Sequence, residues 1–425
     1  MNPIGNRIRP LFCDLMNLAR GKYVAADVAN GGRIGFARAT FATTYDRDLL
    51  TVPGTKVMEG VPDMDLILDG DLRPGWQDGT QIALGDIYVD GAPFALDARG
   101  QLRRTVQEWQ ARGLTPMVGL ELEAYVFQRD QDGIYRPYDT PGAHVYGTGP
   151  QNDPKGLLDG IWARAAAMGL PLESLNGEFD KGQFELVCRF DQAIAACDNS
   201  FLLRLMAQEE AIHRGLILTF LPKPIPDRGG SGVHVNFSFT DQQGGNAIAP
   251  TGNLSDLAKG CIAGLIKHHE ALAGLIAPTV NSYDRLSPGS MAGYWANWGI
   301  DHRMTTTRCS VDTPKSARLE HRMGDGGCNP YLLTHAVLQA AKLGVEADLM
   351  PPAAEDLDAI ENTRARVHAP AGLTKALSAL ERDKALYQAI GADLCEAHLH
   401  MKRDEAQRLR GKSPNEVRDF YLPFI

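Results

Sequence analysis

Four stretches of the chain place polar side chains at every second position of an otherwise apolar run. That period of two is the mark of strands that bury one face. In GLELEAYVF (119–127), Glu121, Glu123 and Tyr125 share a face while Leu122, Ala124 and Val126 take the other. In GGSGVHVNFSF (229–239), His234, Asn236 and Ser238 alternate with Val233, Val235, Phe237 and Phe239. In KSARLEHRMGD (315–325), Arg318, Glu320 and Arg322 alternate with Ala317, Leu319 and His321. In NGEFDKGQFELV (176–187), Lys181-Gly182 reads as a two-residue hairpin loop, which sets Glu178 directly opposite Glu185. Like charges at such a cross-strand pair destabilise a sheet, so something positive must offset them unless both are solvated surface groups.

The rest of the pattern divides in two. From 7 to about 95 it predicts short strands and turns: two strands around a tight loop in IRPLFCDLMNLARGKYV, then MDLILDG and GDIYVDG. A small β-rich domain over 1–96 follows. From 97 to 113 the period becomes helical, with apolar Leu102, Val106 and Trp109 and a C-capping Gly113. Further helices are predicted near 155–169, 192–215, 254–275, 330–348 and 375–410, with strands between them and long loops at 128–155 and 281–314. Loops of that length in a compact domain are more often functional than idle. Helices mixed with antiparallel hairpins indicate an α+β fold, with 97–425 as the larger domain.

Composition narrows the function. The 425 residues are 44% hydrophobic and 22% charged, with net charge −9 and no run of Lys or Arg, which argues against nucleic acid or an anionic membrane surface as the main partner. Seven scattered cysteines without a C-x-x-C pair suggest neither a disulfide framework nor structural zinc, and fit a reducing cytoplasm. No stretch of 18 uninterrupted apolar residues and no secretory signal pattern is present, so neither export nor a membrane span is expected.

Each polar stripe has a plain reading by itself: an edge-strand guard, a satisfied core histidine, an ion-pair ladder. Together, five glutamates and one histidine on half-buried strands are costly unless cations neutralise them. Carboxylates with one imidazole suit Mg²⁺ or Mn²⁺. Arg285, Arg303, Arg308, Arg318 and Arg322 cluster in the last third, and guanidinium forks hold carboxylate and phosphate at two points. Metal beside arginines is what phosphoryl transfer from a nucleotide requires, and the lack of a G-x-x-x-x-G-K-[ST] loop excludes a P-loop enzyme.

The ordered motifs GLELE, NGEFDKGQFE, GGSGVHVNFS, NSYDRLSPG, DHRMTTTR and SARLEHRMGDGGCNPYL resemble the glutamine synthetase family from about residue 7 to the C-terminus. The resemblance implies a β-grasp-like N-terminal domain and a catalytic domain with a curved antiparallel sheet and flanking helices. It also implies a homo-oligomer of two stacked rings, a dodecamer, with sites at subunit boundaries. By position, Glu123, Glu178 and Glu185 match ligands of one metal, and Glu121, His234 and Glu320 those of a second. Arg285 and Arg322 match the grip on the acid substrate, with Gly230 beside them. Arg303, Arg308 and Arg318 match groups around the nucleotide phosphates; Glu173, Phe190, Asn236 and Ser238 fall at the nucleotide. The implied reaction joins ATP, a glutamate γ-carboxylate and an amine through an acyl phosphate, with Mg²⁺ or Mn²⁺.

Departures from the family pattern bear on the substrate. Ammonia-using members carry an acid two places after the PG of NSYDRLSPGSMAGYW, where this chain has Met291. The N-terminal F-D-G-S-S segment, which supplies another acid, is replaced by IGFARATFATTY. Tyr294, Trp295 and Trp298 follow the loop, aromatic bulk suited to an organic substituent or to packing. An organic amine is therefore expected, with ammonia and a catalytically silent relative as the alternatives. Gly229 replaces a usual asparagine, which leaves the acid itself open, and Asn236 replaces a second histidine. No tyrosine lies between Tyr331 and Tyr387, so an adenylylation switch is not expected, nor is the family's usual N-terminal helix, since the first predicted strand begins almost at once.

Overall fold

The computed structural model describes residues 7–356, 358 and 363–425. Two sheets carry the architecture. The first has eight strands, with Ala19–Gly21, Arg7–Cys13, Thr80–Val89, Asp63–Leu68 and Arg33–Ala37 in spatial order. Its Arg7–Cys13 and Thr80–Val89 pair is parallel, and the pairs flanking it are antiparallel. Its strand Arg33–Ala37 alternates strictly: Ile34 and Phe36 are buried while Arg33, Gly35 and Ala37 face solvent.

The second sheet has ten strands, with Leu172–Gly177, Gln183–Cys188, Thr115–Arg129, Val233–Thr240, Arg318–His321, Thr307–Ser310 and Trp298–Ile300 in spatial order. All neighbours are antiparallel except Trp298–Ile300 with Thr307–Ser310. Its apolar face, including Leu120, Leu122, Val235, Phe237 and Leu319, belongs to the main core. The polar stripes read from the sequence therefore lie side by side on the opposite face. The α+β expectation agrees with this arrangement.

The helix Ala98–Gln110 joins the sheets. Asp97 caps it by accepting from the Arg99 and Gly100 N–H groups, and also accepts from Ile87 N–H at 2.9 Å, which ties the cap to the first sheet. Gly113 at φ +78° and the Leu114 N–H bond to Trp109 C=O close its C-terminus as the pattern predicts. Elsewhere the predicted helices are more broken. The 254–275 segment is two helices, Asp256–Lys267 and His269–Ile276, and 375–410 is three, Leu373–Arg382, Lys384–Ile390 and Ala392–Arg408. Asp383 starts a new helix by capping Leu386 N–H, and it also bonds His268 Nδ1 at 2.6 Å, so the two breaks lock together. The 281–314 loop contains a helical turn, Ser282–Arg285, and two of the sheet's strands; the 128–155 loop begins with Tyr135–Pro137 pairing back on the long strand. Among the described residues no helix is long and apolar enough to cross a membrane.

Helix Asp256–Lys267 crosses Pro330–Glu346 at unusually close range. A Cβ on Gly264 would lie 2.1 Å from Ala340 O, and one on Gly344 2.1 Å from Gly260 O. Backbone contact of this kind is possible only without side chains.

A buried charge cluster joins the two halves. The Arg99 guanidinium bonds Asp198 through both Nε and Nη2 at 2.9 Å, and also meets Asp86 and Asp69. Removing one partner of such a cluster strands the others without compensation. Arg99→Met is expected to lower the unfolding free energy by about 3–5 kcal/mol in urea denaturation. A loss under about 1 kcal/mol, typical of an exposed pair, would contradict this role.

Candidate active site

Register puts the charged stripes in contact. On the second sheet His234 pairs with Glu121, and Asn236 pairs with Gly119 on one side and Glu320 on the other. His234 Nδ1 lies 3.1 Å from Glu121 Oε2 and 3.5 Å from Glu320 Oε1, and its Nε2 lies 3.5 Å from Glu123 Oε1. One imidazole thus sits among three carboxylates. Donor atoms of Glu121, His234 and Glu320 all lie within 4.8 Å of one another, a spacing that one cation can bridge.

The opposing glutamates are not the pair expected. Strand pairing ends at Gly177 and resumes at Gln183, with Asn176, not Glu178, opposite Glu185. The turn is longer than Lys181-Gly182: Glu178 N–H donates to Gln183 O, and Gln183 N–H to Asp180 O. Gly182, at φ +72°, closes it where a Cβ would lie 2.8 Å from Tyr138 O. Glu185 instead pairs with Glu123 on the long strand. Glu123, Glu178 and Glu185 remain neighbours, but among the described residues they do not reach the spacing of the first trio. Glu178 rides on a turn, and the three like charges repel.

Electrostatics separate the carboxylates. Burial opposes the charge of Glu121, yet hydrogen bonds from His234 and Asn236 outweigh it and hold Glu121 down to about 2. Burial, then the Glu121, Glu178 and Glu123 charges, push Glu185 up to about 7. Burial and Glu123 raise Glu178 as well. A crowded, dehydrated carboxylate group of this kind carries more negative charge than its protein neighbours offset, and hard divalent cations take oxygen donors together with one imidazole. The donor set therefore fits divalent metal.

Two cavities meet at this cluster. One, of about 300 Å³, is lined by Glu121, Glu173, Phe190, Asn236, Ser238 and Arg318 among others. It brings together all the residues expected at the nucleotide except Arg303 and Arg308. Glu173 reaches it from an irregularity in the pairing between Leu172 and Ser174, and Phe190 sits against Gly119, where a Cβ would lie 3.3 Å from its own Cβ. Arg318 donates to Asn236 Oδ1 at 3.0 Å, which fixes its reach into the cavity. The second cavity, about 450 Å³, is lined by Glu123, Glu178, His234, Arg285, Arg322 and Met291 with the Gly229-Gly230 loop. Glu121 lines the first and Glu123 and His234 the second, and His234 lies 3.1 Å from Glu121 and 3.5 Å from Glu123, so this contact stands between the two cavities.

The arginines divide accordingly. Arg285 is 4% exposed and donates to the backbone oxygens of Met323 and Arg322 at 2.8 and 3.0 Å. The glycine run exists for it: a Cβ on Gly230 would lie 2.6 Å from Arg285 Cγ, and one on Gly232 2.4 Å from a guanidinium nitrogen. Arg322 bonds Glu320 and donates to Met291 O at 3.4 Å, which seats the loop bearing Met291. Arg308 lines neither cavity and pairs with Asp301 and with Glu320, the latter at 3.2 Å, completing the ion-pair ladder. Arg303 is exposed on the turn beyond and lines neither cavity. Trp295 also departs from expectation. Its ring packs edge-on against Tyr294 and His368, at 5.0 and 5.7 Å between centroids, and Trp298 donates to Pro352 O, so this aromatic bulk packs away from the cavity.

The sequence reading missed a clamp. Tyr125 O–H donates to Gly229 O at 2.9 Å and reaches Asp180 at 3.2 Å, and Asp180 accepts from Gly229 N–H. Arg228 grips Asp139 through two nitrogens at 2.7 and 2.6 Å and donates to Lys181 O at 2.8 Å. Together they pin the turn carrying Glu178 to the glycine loop. Tyr125 sharing a face with the glutamates was the only signal of it. Loss of the hydroxyl in Tyr125→Phe is expected to weaken Mn²⁺ binding about tenfold in calorimetric titration, as for removal of an outer-shell partner, with helix content by circular dichroism unchanged; an unmoved affinity would mean the clamp holds nothing.

The family model described as "Glutamine synthetase, catalytic domain" matches residues 95–421. The chain is 31% identical over 351 residues to a glutamine synthetase of Pyrococcus abyssi, covering 80% of this chain and 78% of that protein. It is 32% identical over 445 residues to a glutamate–methylamine ligase of Methyloversatilis universalis, covering 97% and 95%. A solved structure of GmaS in complex with ADP superposes with a TM-score of 0.85 at 26% identity, covering 99% of this chain and 97% of that one. Motif order, sheet, cavities and these likenesses agree, and the chain belongs to the glutamine synthetase family.

Proposed function

We propose that the chain is an ATP-dependent ligase joining the γ-carboxylate of glutamate to an organic amine. One observation carries this reading: Glu121, in the wall of a cavity entered by Arg318, shares a cation-sized cluster with His234, in the wall of a cavity that also holds the buried Arg285 and Arg322. Such an arrangement suits phosphoryl transfer from a nucleotide on one side to an acid on the other. Similarity to a glutamate–methylamine ligase and to a gamma-glutamylethanolamide synthetase of Streptomyces coelicolor supports the amine as partner.

In this reading Arg285 and Arg322 hold the glutamate so that its γ-carboxylate points at this cluster. Arg318 orients the phosphates, and Phe190 and Ser238 border the base and sugar. Bound Mg²⁺ or Mn²⁺, held by Glu121, His234 and Glu320 and by Glu123, Glu178 and Glu185, supplies charge neutralisation at the phosphoryl oxygens. The γ-carboxylate oxygen takes the terminal phosphoryl group and ADP leaves; the amine nitrogen then attacks the acyl carbon and phosphate leaves. Met291 offers no carboxylate to hold an ammonium ion, which favours an organic amine over ammonia. A ring oligomer working in the cytoplasm fits the family.

Product amide and phosphate release, measured with ATP, Mg²⁺ and glutamate against ammonium, methylamine, ethanolamine and 1,4-diaminobutane, tests the reading. An organic amine is expected to outperform ammonium. A preference for ammonium identifies an ammonia-using enzyme, and silence with every amine a non-catalytic relative. Met291→Glu is expected to raise the use of ammonium relative to organic amines; an unchanged ratio counts against the pocket argument. Glu320→Ala and His234→Ala are each expected to weaken Mn²⁺ binding in calorimetric titration by at least about tenfold, the loss typical even of outer-shell partners. Unaltered Mn²⁺ affinity in both would remove the metal assignment.

A further inference from the structure

Phe179 is 74% exposed although it sits beside Glu178 on a turn held by hydrogen bonds from three sides. A single exposed ring is ordinary by itself; its position in the wall of a cavity gives this one its interest. Phe179 lines the second cavity, as does Met291, which is 50% exposed on the loop seated by Arg322. The backbone that carries each is held in place. The clamp of Asp180, Arg228 and Gly229 fixes the first, and the Met291 carbonyl is bonded to the Arg322 guanidinium. These two side chains give the cavity two exposed apolar walls from separate segments. The carboxylates lining it, Glu123 and Glu178, belong to the cation cluster, and Lys223 adds positive charge.

We propose that Phe179 and Met291 form the subsite for the amine's substituent, which selects a primary monoamine with a short apolar chain over a diamine. This inference rests on the ligase reading above. Burying an alkyl chain against the two walls removes both from water, at about fourfold in affinity per methylene fully buried. A second ammonium at the far end of a diamine would lose its hydration beside Lys223 without gaining a counter-charge of its own. Phe179 is a specificity-determining residue in this account, and its ring touches the part of the amine that does not react.

The test uses the full chain with ATP, Mg²⁺ and glutamate, and compares kcat/KM for methylamine, n-butylamine and 1,4-diaminobutane by mass spectrometry of the amide. For the wild-type chain, n-butylamine is expected to exceed 1,4-diaminobutane by at least about tenfold. Phe179→Ala is expected to lower the n-butylamine value about tenfold and the methylamine value less than about twofold, with KM for glutamate and ATP unmoved. Phe179→Leu, which keeps an apolar wall, is expected to restore most of the loss. Amide formation with a chain-length preference unchanged in Phe179→Ala, or with diaminobutane equal to butylamine, overturns this inference alone. No amide from any amine overturns the ligase reading and the inference with it.

Discussion

Like charges on adjacent strands govern this molecule. Glu123 faces Glu185 across one strand pair, and Glu121 faces His234 across the next, in a sheet whose other face is core. A sheet tolerates such neighbours only if the charge is answered. His234 lies between Glu121 and Glu320 within hydrogen-bonding reach of Glu121, and Arg308 and Arg322 pair with Glu320. The crowding is visible in Glu185, which burial and its neighbours raise to about 7. The stored repulsion is a demand for cations, built where two cavities touch.

The surrounding structure follows from holding that cluster in place. Glycines 230 and 232 leave room for the Arg285 guanidinium, which stays buried by bonding backbone oxygens rather than a carboxylate. A guanidinium held in this way keeps its charge at the cavity wall, where the proposed function seats the acid. On the other side Arg318 is steered by Asn236, the residue that stands in place of a second histidine. The Tyr125, Asp180 and Arg228 clamp joins the turn carrying Glu178 to the glycine loop beside Arg285.

The sequence revealed what depends on local period. Alternation located Glu121, Glu123, His234, Asn236 and Glu320 on one face, and the register confirmed their adjacency. It misplaced Glu178, because the two-residue turn rule ignores the bonds among Glu178, Asp180 and Gln183 that lengthen the turn. It put Trp295 near substrate by proximity in sequence, while contact with His368, far along the chain, turns the ring away. The Arg228–Asp139 grip spans 89 positions and has no local signature. Phe179 was passed over because a phenylalanine in a strand-like run reads as core, and only its exposure reveals otherwise.

Cations held between the two cavities are what the proposed reaction requires. Anomalous diffraction at the manganese edge, from crystals of this chain grown with Mn²⁺ and a non-hydrolysable ATP analogue, tests that most directly. The account predicts one peak among Glu121, His234 and Glu320 and another among Glu123, Glu178 and Glu185, both against the analogue's phosphates. Peaks elsewhere, or phosphates bound with no metal between those side chains, would contradict it.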